Sequence, residues 1–265
     1  MKKILLSMMM VAVFLLVACS ESNVYTYILD ESYDGFITLG TSADYPPYEW
    51  PMNVDGKQQI VGIDIEIAKH IATALNKNLK VVNKGFDFLL EDLDQGKVDF
   101  VLAGMTPTEE RMEIVDFSKV YYEAIQVVLI QEVNKDLYTS FDSLNQSTIR
   151  IGAQTGSIQK DLAETFTNAT KQYIQTIPDL VLRLSEGQIE ALIVEKPVAD
   201  GYISNIEGLY IADFLIGDPD GGSAVAVKKG NSELLEVIND VIDELITSGE
   251  MDRIVEEMIL LNSGS

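Results

Sequence analysis

Apolar and polar positions along the chain follow two alternating rhythms. The run Phe36-Ile37-Thr38-Leu39-Gly40 predicts a strand, and a proline-containing loop follows it. Val61-Gly62-Ile63-Asp64 leads into a helical pattern over residues 65–75, with Ile67, Ile71, Ala74 and Leu75 apolar. Residues 79–82 predict a second strand, residues 89–93 a helix, and residues 98–103 a buried strand. This βαβ order predicts a mainly parallel sheet covered by helices. The rhythm restarts at Ile149-Arg150-Ile151-Gly152-Ala153, continues through the loop Gln154-Thr155-Gly156-Ser157, and enters a helix ending near Phe166. Towards the C-terminus, residues 232–247 predict a helix carrying Leu234, Leu235, Ile238, Val241, Ile242 and Leu245; Gly249 ends it, and residues 252–261 predict a last helix.

The second half echoes the first. Leu93-x-x-Gly96-x-Val98-Asp99 matches Leu184-x-x-Gly187-x-Ile189-Glu190, each leading into an apolar strand. In both, glycine is placed where a helix ends with φ > 0 and a strand begins at once. The strands end at Ala103-Gly104 and at Val194-Glu195. Two such units predict two domains of one architecture, although helix-Gly-strand is common in α/β proteins.

The N-terminus addresses the chain to a compartment. Lys2 and Lys3 precede an apolar stretch over residues 4–17, of secretory length and short for a membrane span. It closes on Leu16-Val17-Ala18-Cys19, which resembles the lipobox of bacterial lipoproteins. Residues 1–18 are thus expected to be a signal peptide and Cys19 a lipid attachment site; an ordinary secretory signal is the alternative. Two acyl chains hold a protein to a membrane far more firmly than one. Residues 19–34 read as a polar, lipid-anchored tether, and no later segment reaches the roughly 18 consecutive apolar residues of a span.

Composition narrows the chemistry. The 265 residues are 47% hydrophobic, enough for a substantial core. A net charge of -23 argues against a nucleic-acid partner, because phosphate binding needs basic surfaces. Cys19 is the only cysteine and His70 the only histidine, so no intrachain disulfide, no histidine metal cluster and few nucleophilic triads are possible. Neither a metal nor a cofactor is expected.

In open α/β sheets, ligands bind beyond the carboxyl ends of strands. Three loops fall there. Thr41-Ser42-Ala43-Asp44-Tyr45-Pro46-Pro47-Tyr48-Glu49-Trp50 sets aromatics in a proline-stiffened loop. Gly104-Met105-Thr106-Pro107-Thr108-Glu109-Glu110-Arg111 predicts a helix start with Thr106 as N-cap, Pro107 at N1 and Glu109 at N3. Arg111, one turn in, can pair bidentately with a carboxylate; a structural pairing with Glu110 or Asp116 is the alternative. In the second half, Gln154 to Ser157 offers amides and hydroxyls, and Glu195 places a carboxylate at a strand end. An arginine on one domain and a glutamate on the other suit the two charges of a free amino acid.

These stretches, with VGIDIEIAKHIA, VDFVLAGMTPTEER, IGAQTGSIQKDLAE and IVEKPVADGY, resemble the bacterial extracellular solute-binding protein family three, the polar amino acid-binding proteins of ABC importers, from about Phe36 to Leu261. The resemblance implies a periplasmic-binding-protein-like fold: two α/β lobes joined by a two-crossing hinge, with the ligand cleft between them. Lobe 1 is then residues 35–121 and 223–265, and lobe 2 residues 125–218, with hinges at Tyr121-Tyr122-Glu123-Ala124 and Asp218-Pro219-Asp220-Gly221-Gly222. It further implies that Tyr45 stacks on the ligand opposite Phe86, that the Gly104 carbonyl meets the α-amino group, that Thr106 donates its hydroxyl and amide to the ligand, and that Arg111 clamps the α-carboxylate. Ser157 and the Ile158 amide fall at second-lobe donor positions, and Gln154 at a side-chain-reading position. Glu195 takes the place of a usual aspartate for the amino group. Ser42 stands where several basic- or glutamine-selective members have Asp, which weakens a claim of arginine or lysine specificity; a polar or basic amino acid is expected, with glutamine, cystine and histidine all candidates. The expected partners are a free amino acid, permease and ATPase subunits and, through lipid, the membrane, with the protein itself a monomer and not an enzyme. A dehydratase on the same fold, or a surface sensor or adhesin, are the alternatives.

Overall fold

The computed structural model describes residues 23–123, 125–217 and 221–264. The leader, Cys19, Ala124 of the first hinge and Asp218-Pro219-Asp220 of the second lie outside the described residues. The chain builds lobe 1 from β1 (Val24–Tyr27), β2 (Phe36–Thr41), β3 (Trp50–Val54), β4 (Lys57–Val61), α1 (Ile63–Ala74), β5 (Asn78–Asn83), α2 (Leu89–Asp94), β6 (Phe100–Val101), α3 (Glu109–Ile114) and β7 (Val115–Glu123). It crosses to lobe 2 for β8 (Gln126–Gln131), α4 (Phe141–Leu144), β9 (Arg150–Gln154), α5 (Ile158–Glu164), β10 (Thr170–Ile174), α6 (Ile177–Ser185), β11 (Ala191–Glu195), α7 (Lys196–Asn205) and β12 (Leu209–Ile211). It then returns with β13 (Gly222–Lys228), α8 (Ser232–Ser248) and α9 (Glu250–Ser263).

The lobe 1 sheet runs β1-β5-β2-β6-β13-β7 and the lobe 2 sheet β10-β9-β11-β8-β12. Each contains a parallel trio, β5-β2-β6 inside the lobe 1 sheet and β10-β9-β11 along one side of the lobe 2 sheet. The crossing strands leave lobe 1 side by side, since Glu123 of β7 pairs with Gly222 of β13.

The internal echo is matched atom for atom at the backbone. Gly96 (φ 69) and Gly187 (φ 68) each end a helix in the left-handed region. Their N–H groups donate to Leu93 O (3.1 Å) and Leu184 O (3.0 Å), and the next amides, of Lys97 and Gln188, donate to Asp92 O and Arg183 O. Asp99 and Glu190 then repeat one another. Each accepts an N–H from the neighbouring strand on its carboxylate, from Thr38 and Arg150, both at 2.7 Å. Each donates its own N–H back to that residue's carbonyl.

Four expectations need correction. Val24–Tyr27, expected within the tether, is an edge strand antiparallel to β5; Tyr27 is buried and exchanges hydrogen bonds with Ile60. The expected loop after β2 contains the hairpin β3–β4, whose turn residues Asp55 (φ 51) and Gly56 (φ 77) both take positive φ. The strand expected over residues 98–103 is laddered only at Phe100–Val101, because the chain beyond leaves the sheet towards Asp64, which accepts the Gly104 N–H at 2.8 Å. The C-terminal helix begins two residues earlier than expected, directly at Gly249, while α8 buries Ile238, Val241, Ile242 and Leu245 as its periodicity predicts.

One core cluster runs from Leu39, Ile63 and Val81 of lobe 1 through Tyr45 and Tyr48 to Leu180, Leu192 and Val194 of lobe 2. The lobes therefore meet face to face, and α9 also touches lobe 2, where Asn205 Nδ2 donates to Asn262 O (2.9 Å).

Candidate functional site

Arg111 is placed by a cap different from the expected one. Pro107 keeps the preceding residue out of the helical region, and the chain stays extended through Thr108 (φ -87, ψ 157). Thr108 is the N-cap; its hydroxyl accepts the Arg111 N–H at 3.2 Å, and the helix starts at Glu109. Thr106 is freed from capping, and its carbonyl accepts Arg111 Nη1 at 2.7 Å. Arg111 Nη2 reaches across to Gly156 O of lobe 2 at 3.0 Å, while the guanidinium lies 5.3 Å from the Phe86 ring centre. The alternative partners are engaged elsewhere or not at all: Asp116 pairs with Lys229 (2.8 Å), and among the described residues no carboxylate pairs with Arg111. Burial lowers the Arg111 pKa to about 10, against the pull of Asp161 and Glu110. The group is a half-buried cation held by carbonyls of both lobes.

Tyr45 and Glu195 meet at a second contact between the lobes. The ring of Tyr45 stacks on Tyr48 (centres 5.4 Å apart, planes 13° apart), and Tyr48 meets Tyr122 edge-on at 5.9 Å. Tyr48 donates its hydroxyl to Glu195 Oε2 at 2.5 Å, and Glu195 N–H donates to the Tyr45 hydroxyl at 3.4 Å. Glu195 is 3% exposed. Burial pushes its carboxyl up to about 7, opposed by the Tyr48 and Gln126 hydrogen bonds and aided by the charge of Asp64. Gly104 (φ 54) lets the chain pass the Tyr45 ring, where an added Cβ would lie 3.1 Å from ring carbons. Its amide is fixed by Asp64, whose other oxygen accepts the Tyr121 hydroxyl at 2.7 Å. Burial and the adjacent Asp64 hold the Glu49 carboxyl well above the usual carboxylate range.

The remaining residues are tied together by one that sequence reasoning passed over. Asp44 Oδ1 accepts from Ser42 Oγ (2.9 Å), and Oδ2 accepts from the Ile177 N–H (2.9 Å) and Gln154 Nε2 (3.2 Å). Ser42 and Gln154, from different lobes, thus converge on one carboxylate. Ser157 caps α5, accepting from the Lys160 N–H, and donates to Gln154 O at 2.8 Å. Ile158, first in α5, lines a cavity of about 690 Å³ with Phe86, Met105, Arg111, Gly156 and Asp161. The structure brings Phe86, Thr106 and Arg111 together with Gly156 and Ile158, joins Gly104 and Tyr45 to Glu195, and links Ser42 to Gln154 and Ser157, all where the lobes face one another. Sequence reasoning missed Asp44, Asp64 and Tyr48. Asp44 and Tyr48 flank Tyr45 in the same loop and were signalled by position; Asp64 becomes visible only through contacts 40 and 57 residues away. Among the described residues no His/Cys/Asp/Glu group could hold a metal ion, and no helix is long and apolar enough to cross a membrane.

Comparison with known proteins identifies the family. Residues 37–260 match the bacterial extracellular solute-binding proteins, family 3. The arginine-binding extracellular protein ArtP of Bacillus subtilis is 35% identical over 262 residues, 96% of each chain. The crystal structure of an amino acid ABC transporter substrate-binding protein, AbpA from Streptococcus pneumoniae bound to L-arginine, is 36% identical and superposes with a TM-score of 0.82, covering 86% of this chain and 96% of that one. The ancestral amino acid-binding protein AncCDT-1, a precursor of cyclohexadienyl dehydratase, is 29% identical with a TM-score of 0.78, covering 85% and 96%. With a match spanning most of its length and relatives of this similarity, the chain belongs to the bacterial extracellular solute-binding proteins, family 3.

Proposed function

We propose that the protein is the extracytoplasmic binding component of an amino acid ABC importer, capturing a free polar L-amino acid by closing its two lobes. The observation that carries this reading is that Arg111 of lobe 1, half-buried, and Glu195 of lobe 2, buried, both lie where the lobes face one another, each hydrogen-bonded to the opposite lobe. The ligand carboxylate takes the Nη groups that here donate to the Thr106 and Gly156 carbonyls, joined by the Ser157 and Ile158 donors. The ligand ammonium takes Glu195, with the Gly104 carbonyl beside it. Tyr45 and Phe86 wall the ligand. Because Arg111 and Glu195 belong to different lobes, the full set of contacts exists only when closed, so binding shifts the population towards the closed form. The amino acid-binding relatives support this reading, and delivery to permease and ATPase subunits by a monomer goes with it.

Titration with free L-amino acids and their derivatives tests it. Free forms bind; the methyl ester and the N-acetyl derivative of the tightest ligand each fail to compete. Binding indifferent to both blocking groups would overturn the reading. We further propose that Cys19 carries the lipid: labelled fatty acid is incorporated by the wild type and not by Cys19→Ala, and equal labelling would reject the anchor.

A further inference from the structure

The last helix starts on one lobe and ends on the other. Along α9 the inward positions Met251, Ile254, Val255, Met258 and Asn262 keep helical spacing, and the stripe is apolar until its final member. The helix packs on α1 and α8 of lobe 1 and on α7 of lobe 2. Its first residue, Glu250, lies 4.0 Å from His70 of α1, and Met251 and Ile254 are buried. About three turns on, the buried Asn262 reaches α7. Its carbonyl accepts Asn205 Nδ2 at 2.9 Å, and the same nitrogen donates to Gly201 O at 2.9 Å.

Gly201 makes room for this contact. It stands inside α7, where glycine costs a helix about 1 kcal/mol relative to alanine. A Cβ added there would lie 2.2 Å from Asn262 Nδ2. The missing side chain is thus space that the other lobe's helix fills. A cavity of about 200 Å³ adjoins the contact, walled by Pro47, Tyr122 of β7, Pro197 and Gly201 of α7, and Ile259 and Asn262 of α9. Pro47 belongs to the loop whose Tyr48 holds Glu195, and Glu195 is the residue from which α7 starts.

The contact lies outside both hinge crossings. α9 is rooted on lobe 1 and α7 moves with lobe 2, so a rotation of the lobes about the crossings shears Asn262 away from Gly201 and Asn205. It is made in the same arrangement in which Arg111 reaches Gly156 and Tyr48 reaches Glu195.

We propose that α9 is a strap that holds the lobes together: Asn262 docks in the notch at Gly201, and α7 in turn positions Glu195 against lobe 1. This rests on the lobe-closure reading above and adds to it a positioning contact that touches no ligand. Because the strap favours the closed form itself, it strengthens binding of every amino acid the cleft accepts by the same factor.

Spin labels, one on each lobe of the full chain, test the strap through the interlobe distance, alongside calorimetry and stopped-flow dissociation of bound amino acids. In Gly201→Ala, longer interlobe distances gain population and each bound amino acid dissociates about tenfold faster, with affinity lowered about tenfold. Far-ultraviolet circular dichroism is unchanged, since alanine suits the helix better than glycine. Adding Asn262→Ala to that variant gives the new methyl group room and recovers both distance and affinity. Asn205→Ala, at an exposed position, removes the shared donor and moves the same readouts in the same direction by less; it stands in should Gly201→Ala not fold. Unchanged distances and dissociation rates in these folded variants overturn the proposal. So does lost affinity with unchanged distances, which would make α9 a prop of the fold alone. Distances that lengthen in Gly201→Ala in a protein that binds no free amino acid keep the strap and remove the amino acid reading.

Discussion

In lobe 1, α2 gives way to β6 through Gly96, and the chain leaves the sheet after Val101 on its way to Gly104; in lobe 2, α6 gives way to β11 through Gly187, and the strand runs on to Glu195. From helix end to strand start the backbones repeat one another, down to the carboxylates of Asp99 and Glu190 that pin each chain to its neighbouring strand. At their ends they part. Lobe 1 presents a peptide group to the cleft and keeps its carboxylate, Asp64, one layer behind, bound to the Gly104 amide and the Tyr121 hydroxyl. Lobe 2 puts the carboxylate itself at the strand end, held by Tyr48 from the other lobe. One scaffold thus carries two displays, and the pair is chemically complementary to a ligand with two different ends.

The sharpest break between the two ends is expected at Glu195. Glu195→Gln lowers affinity for the best amino acid ligand about 100-fold, or about 2.7 kcal/mol, while its des-amino analogue changes little. Equal losses would erase the difference between the lobes. Because burial holds the wild-type carboxyl near 7, and an ammonium requires it ionised, binding near pH 7 releases protons into the buffer. Calorimetry in buffers of different ionisation heat measures this, and Glu195→Gln diminishes it.

Asp64 acts through the peptide and not on the ligand, so its effect is smaller. Asp64→Asn removes one acceptor from the pair Gly104 N–H and Tyr121 O–H, and affinity falls about tenfold, or about 1.4 kcal/mol. A loss as large as that of Glu195→Gln would put Asp64 in direct contact with the ligand. The smallest effects belong to the shared scaffold. Gly96→Ala and Gly187→Ala each place a side chain in the left-handed region and lower stability by about 1 kcal/mol, equally, with affinity unchanged. Unequal melting shifts would show the repeat to be superficial.

What the sequence revealed follows the range of the interactions involved. The repeat, the helices and the strand ends holding Arg111 and Glu195 depend on local periodicity and on glycine, and were legible. Thr106 was read as a cap because Thr-Pro-Thr offers two capping hydroxyls, and only the extended backbone through Thr108 chooses between them. Val24–Tyr27 passed as a tether because an edge strand with one fully buried side chain carries little periodic signal. The hairpin at Asp55-Gly56 did carry its turn signal, which went unread. Asp44 stands in a loop that the sequence marks, but its link between the lobes was out of reach because its partners Gln154 and Ile177 come from the other lobe, 110 and 133 residues away. A carboxylate becomes a site residue there only once the lobes meet.

The central claim is that Arg111 and Glu195 grip one ligand from opposite lobes, and Arg111 is its most exposed point. Calorimetric titration of Arg111→Ala with the amino acid that binds the wild type most tightly tests it directly. The account predicts a loss of at least about 100-fold, with far-ultraviolet circular dichroism and ligand-free melting unchanged, because a carboxylate loses its charged partner in a desolvated cleft. Undiminished affinity in a folded Arg111→Ala protein would contradict it.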